Sequence, residues 1–120
     1  MANRNFTTTQ ALNKEVKIIA GRFDDIPTKK AGLGYTVANG STGVYTVTLN
    51  DTYTALLAAN ATVQSTAGTD DYVATIAAHD VASAKTIVFH LAVAGTLTDL
   101  GTADELHFSA VLQNSSIPSV

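Results

Sequence analysis

Three histidines, His79, His90 and His107, are the side chains of this 120-residue chain best suited to chemistry. Imidazole titrates near neutrality and is the commonest metal ligand. Each histidine falls in a stretch that reads as a β-strand. His90 and His107 lie on the face opposite the apolar alternation, where they could meet across neighbouring strands to bind a metal or sense pH. Against this, no two of them share the i, i+2 spacing that puts ligands on one strand face, and no nearby carboxylate completes a set. Ordinary surface or interface histidines satisfy the same pattern, so no metal or other cofactor is expected.

The carboxylates come as loop pairs: Asp24 with Asp25, Asp70 with Asp71, and Asp99 with Asp104 and Glu105. Calcium loops need a denser run of oxygen ligands, so these read as solvated turn caps. The chain has no cysteine, which removes disulfides, thiolate catalysis and Cys-ligated metals. No G-x-S-x-G elbow presents a serine, and Gly32-Leu33-Gly34 continues into neither glycine signature for phosphates. A paired-carboxylate glycosidase leaves no sequence signature, but the low charge and lack of tryptophan give it little to work with. The expectation is a protein that is not an enzyme.

The elements that would position these residues are strands. Residues 15–23 alternate and are rich in β-branched side chains until Asp24-Asp25-Ile26-Pro27 breaks them. A loop through Lys29, Lys30, Gly32 and Gly34 leads to a short strand over 35–38, and residues 39–43 form a turn cluster. Tyr45, Val47 and Leu49 then face one side, with Thr46 and Thr48 on the other, the clearest half-buried strand of the chain. Residues 53–59 favour one or two helical turns, since Leu and Ala are good helix formers. Further strands follow over 61–65, 72–79, 85–93 and 105–113, with a long loop over 95–103. The reading is one all-β domain over 14–120, an antiparallel β-sandwich or jelly-roll-like barrel of about seven strands. An extended N-terminal arm over 1–13 precedes it, with Phe6 as its natural anchor.

Charged residues are only 14% of the chain, against roughly 25% in an average domain. A surface of Thr, Ser, Ala and Asn is easily desolvated, which favours subunit contacts. Residues 1–30 carry a net charge of +3, from Arg4, Lys14, Lys17, Arg22, Lys29 and Lys30 against Glu15, Asp24 and Asp25, and the rest of the chain carries -6. A basic leader on an acidic body can steer assembly, though solvated faces would look the same. Nucleic acid is not an expected partner, because the basic residues are dispersed and no aromatic stripe is interleaved with them. Neither is a membrane, since no run approaches the length of a span. The polar start lacks the apolar stretch of a signal peptide, so the expectation is a protein made in the cytoplasm. The Asn-x-Ser/Thr triplets at Asn5, Asn39, Asn50, Asn60 and Asn114 are then chance products of a Thr-rich chain.

The runs Gly43-Val44-Tyr45-Thr46-Val47-Thr48-Leu49, Lys85-Thr86-Ile87-Val88-Phe89-His90-Leu91 and Leu112-Gln113-Asn114-Ser115-Ser116-Ile117-Pro118 resemble a group of small tailed-phage structural proteins that decorate or cement the capsid. That resemblance implies a homotrimer bound to the major capsid protein on the virion surface, made in the host cytoplasm. Under it, Asn3, Arg4 and Phe6 of the arm, with Lys14, Lys17 and Arg22, are the expected capsid contacts. His107, Ser109 and Val111 of the last strand are the expected oligomer interface. A head-fibre or tail-fibre component would instead expose the loop over 95–104 at a tip to bind a host receptor. A soluble carbohydrate-binding module would present Tyr35, Tyr53 or Tyr72 as exposed platforms.

Overall fold

The computed structural model describes residues 16–27, 29–66 and 71–113. Nine strands form among them: β1 (Val16–Asp24), β2 (Lys29–Gly32), β3 (Tyr35–Ser41), β4 (Val44–Leu49), β5 (Ala55–Gln64), β6 (Tyr72–Asp80), β7 (Thr86–Val93), β8 (Thr96–Leu97) and β9 (Glu105–Gln113). All pairings are antiparallel. Sheet A has the order β2-β1-β9-β5, and sheet B the order β3-β4-β7-β6, with β8 added to the end of β7. The domain is thus all-β, two antiparallel sheets packed together, and no helix occurs among the described residues. None of them forms a helix long and apolar enough to cross a membrane. The expected arm over 1–13 lies outside the described residues.

Alternation set the strands that the sequence marks most clearly. Tyr45, Val47 and Leu49 of β4, Ile87, Phe89 and Leu91 of β7, and Leu106, Phe108, Ala110 and Leu112 of β9 are all buried. Their period of two places every one of them on the inner face of its sheet. Burying each large side chain contributes roughly 1.5–3 kcal/mol, so these three strands carry most of the core. Between the sheets the rings of Phe23, Tyr35, Tyr45, Phe89 and Phe108 form one aromatic cluster, with centroids 4.9 to 6.3 Å apart.

Two strands exceed the expected seven. β2 lacks an apolar alternation and pairs with β1 through its backbone, and β8 is only two residues long. The helical turns expected over 53–59 do not form. From Ala55 this segment enters β5, which pairs with β9 from Ala55↔Gln113 to Gln64↔Glu105. Packing of Leu56, Ala59 and Ala61 against the core overrides a local preference of a few tenths of a kcal/mol per residue. Within the expected long loop, Ala94 and Gly95 both have positive φ (52 and 82). They make the two-residue type I′ connection that suits a tight hairpin between β7 and β8.

One glycine shapes the packing. Gly21 points inward between Ile19 and Phe23, and a Cβ there would overlap the hydroxyl and ring of Tyr35. The Tyr35 ring fills that gap and its hydroxyl donates to the carbonyls of Ala31 (2.6 Å) and Arg22 (3.2 Å). A residue of sheet B thereby fastens the β1–β2 ladder of sheet A, closing the β2/β3 side of the sandwich. Burial raises the Tyr35 phenol above its ordinary range, the Arg22 carbonyl opposing in part.

Candidate functional site

The outer face of sheet A gathers the largest share of the expected site residues. β9 runs through its middle, with β1 on one side and β5 on the other. Cross-strand register sets the rows of this face: Ile18↔Val111↔Ala58, then Ala20↔Ser109↔Asn60, then Arg22↔His107↔Thr62. His107, Ser109 and Val111, expected at an oligomer interface, therefore lie in one line along β9. Arg22, expected at a capsid contact, stands directly opposite His107 on β1. Arg22 and the three residues of the last strand thus share a single surface. Lys17 is different, because it pairs with Leu112 and so falls on the inward-facing register, exposed near the end of β1. Asn3, Arg4, Phe6 and Lys14 lie outside the described residues.

The face divides along its length. At one end Val16, Ile18 and Val111 meet Ala58, beside the exposed Leu57 that bulges from β5. Ile18 is 67% exposed and Leu57 52%, an uncovered apolar area on a domain that buries most of its other large side chains. Midway, the Ser109 hydroxyl donates to Asn60 Oδ1 at 2.9 Å. At the far end Glu105 Oε1 sits 3.5 Å from the Arg22 guanidinium and 3.8 Å from His107 Nε2. His107 Nε2 also meets Gln64 Oε1 at 2.9 Å. Glu105 Oε1 is buried without a hydrogen-bond partner and faces the Arg22 guanidinium and the His107 ring at these longer distances. Arg22 is half-exposed, so the ion pair contributes only about 0–1 kcal/mol, and its value here is to fix orientation.

Sequence reasoning missed this cluster, although its signal was present. Glu105 and His107 are two residues apart on a strand and so share a face. A carboxylate therefore does accompany one histidine. The histidines themselves do not assemble: His107 lies on the outer face of sheet A, His90 on the outer face of sheet B opposite Val44, and His79 on β6. The whole sandwich separates His90 from His107, and no group of three metal-binding side chains occurs among the described residues.

Several other expected features are structural. Asp104 is buried rather than a solvated cap: its Oδ1 accepts from the Thr66 amide (3.1 Å) and its Oδ2 from the Tyr72 hydroxyl (3.0 Å). The Thr66 amide above all holds this carboxyl below the ordinary range, against the opposing effect of burial. Asp99 is likewise lowered, chiefly by the Gly43 amide at 2.7 Å and then by Asn39 at 2.9 Å. Tyr35 and Tyr53 are buried, and Tyr72 is partly buried with its hydroxyl on Asp104, so these tyrosines form no exposed platform. Residues 95–104 are tied down too, with Leu100 buried and its amide donating to the Tyr45 hydroxyl at 2.8 Å. No family model, curated protein or solved structure matches the chain.

Proposed function

We propose that this chain is a structural virion protein that binds and stabilises a shell of major capsid protein as a homo-oligomer. The observation that supports the reading is the outer face of sheet A. It is a hydrogen-bonded sheet surface, apolar at Ile18, Leu57 and Val111 and polar at Arg22, His107 and Gln64. An interface needs an apolar centre that excludes water and a polar rim that sets register. A sheet anchored by a packed aromatic core also meets a partner with little loss of conformational entropy. Arg22 and His107 share one row, so we assign this whole face to the shell, His107, Ser109 and Val111 included.

We take the architecture to be a β-sandwich rather than a closed barrel, since no hydrogen-bonded ladder joins the two sheets among the described residues. The fibre reading's loop is fastened at Leu100 and Gly101 to β4 and β6, while residues 95–97, 102 and 103 stay exposed. The carbohydrate-binding reading loses its tyrosine platforms to the core. Capsid shells stripped of minor proteins, mixed with the purified chain and heated, test the proposal. The expected result is saturable binding that raises the shell melting temperature, weakened about tenfold or more by Ile18→Lys or Arg22→Glu. A protein that leaves the shells unbound and unchanged would refute it.

A further inference from the structure

The two sides of the sandwich are finished differently. On the β2/β3 side Tyr35 crosses between the sheets, Ile19 and Tyr35 are buried, β2 is only four residues long, and Pro27, Lys29 and Lys30 flank or occupy it. Short strands, lysine and proline are the devices that keep a sheet edge from pairing with another chain. On the β5/β6 side none of these occurs. β5 and β6 are ten and nine residues long, each has a ladder on one side only among the described residues, and neither contains Lys, Arg, Glu or Pro. Their sole charged residue is Asp80, at the last position of β6, where its carboxylate accepts from the Ser83 amide. Bulges at Leu57 and Ala77 sit toward one end and leave residues 58–64 and 72–76 regular.

The core is also unfinished there. Register places Ile76 opposite Phe89 on the inner face, yet Ile76 is 41% exposed whereas Phe89 is 1%. Leu56, Ala59, Ala61 and Val63 of β5, inward by register with β9, are only partly buried. At one end the opening widens into a cavity of about 270 Å³ between Leu56 and His79.

We infer that the β5/β6 side is where copies of this chain join, each covering the other's edge strands and their partly exposed inward side chains. This rests on the homo-oligomer in the proposed function and assigns its interface. A second copy fits for two reasons. The body of the chain is acidic, but this side is almost uncharged, so identical sides meet without like-charge repulsion. At about 3.4 Å per residue the strands give a strip roughly 30 Å long. With sheets about 10 Å apart and side chains included, it is about 20 Å wide, or roughly 600 Å² per copy. Two such strips bury about 1,200 Å², the lower bound of a stable specific interface.

Sedimentation velocity on the full chain across a concentration series tests this. The expected result is a dimer, the closed form of a side that meets its own copy, and Ile76→Lys should weaken it about a hundredfold because the lysine would be buried unpaired. Ile18→Lys, on the outer face of sheet A, should leave self-association intact while weakening shell binding about tenfold or more, so the two surfaces fail separately. Hydrogen exchange on the unmutated chain gives a readout that does not depend on a variant folding. Amides of β5 and β6 should gain protection as concentration rises. A chain that stays monomeric at every concentration overturns the inference, as does an oligomer dispersed by Ile18→Lys or protected only outside β5 and β6.

Discussion

Gly21→Ala adds one methyl group at the most crowded point of the sandwich. The new Cβ would overlap the Tyr35 hydroxyl and ring, and neither side can yield freely. The ring packs edge-on against Phe108 at 4.9 Å and its hydroxyl holds two carbonyls. The Gly21 backbone is itself fixed between Gly32 of β2 and Phe108 of β9. Overpacking of this kind costs about 1–3 kcal/mol. Displacing the phenol would forfeit its one donated hydrogen bond, shared between the two carbonyls and worth about 1 kcal/mol. The expected loss is therefore about 2–4 kcal/mol, a large part of the roughly 5–15 kcal/mol that holds a domain together. Urea unfolding followed by far-UV circular dichroism would measure it. The decisive comparison is the same substitution made beside Tyr35→Leu. Leucine vacates the ring positions, so Gly21→Ala should then lie within about 0.5 kcal/mol of neutral, helped by alanine's lower backbone entropy cost in a strand. An equal penalty in both backgrounds would refute the argument, because the cost would not then arise from the tyrosine.

Asp104→Asn should lower the urea midpoint at pH 7, since an amide cannot reproduce the carboxylate's contacts to Thr66 and Tyr72. The Asp104 carboxyl is lowered in the folded state, so its stabilisation is full above the unfolded value near 4 and is lost as pH falls through the folded one. The variant and the original should converge in urea melts taken at successively lower pH. Ala94→Asn should stabilise by about 0.5–1 kcal/mol in the same assay, because alanine is held at positive φ where asparagine is at ease.

Strands whose side chains alternate strictly were legible from the sequence, and β4, β7 and β9 lie where that pattern places them. β5 was misread at its start because Tyr53 to Ala59 has helical composition, and only the neighbouring β9 makes it a strand. Nothing local marks β2, whose Lys29-Lys30-Ala31-Gly32 pairs with β1 without an apolar alternation of its own. Of the candidate surface, the line of His107, Ser109 and Val111 follows from period two within one strand. Its neighbours Arg22, Asn60 and Gln64 come from strands far apart in the chain, and no spacing within the sequence foretells that register. The burial of Asp104 was hidden for the same reason, because its partners Thr66 and Tyr72 stand more than thirty positions away.

β9 is the last of the described strands in chain order, yet it is the inner strand between β1 and β5. Sheet B is drawn entirely from residues 35–97 and can take shape while the chain is still being made. Sheet A cannot, because its first strand has no partner but β2 until residues 105–113 leave the ribosome. Synthesis proceeds from the N-terminus at about 5–20 residues per second. For several seconds β1 and β5 are therefore separate, sticky ribbons beside a half-core of exposed aromatics. Closure by β9 completes four-stranded sheet A in a single late step, so a chain cut short before residue 105 should be lost to aggregation or proteolysis rather than survive as a smaller domain.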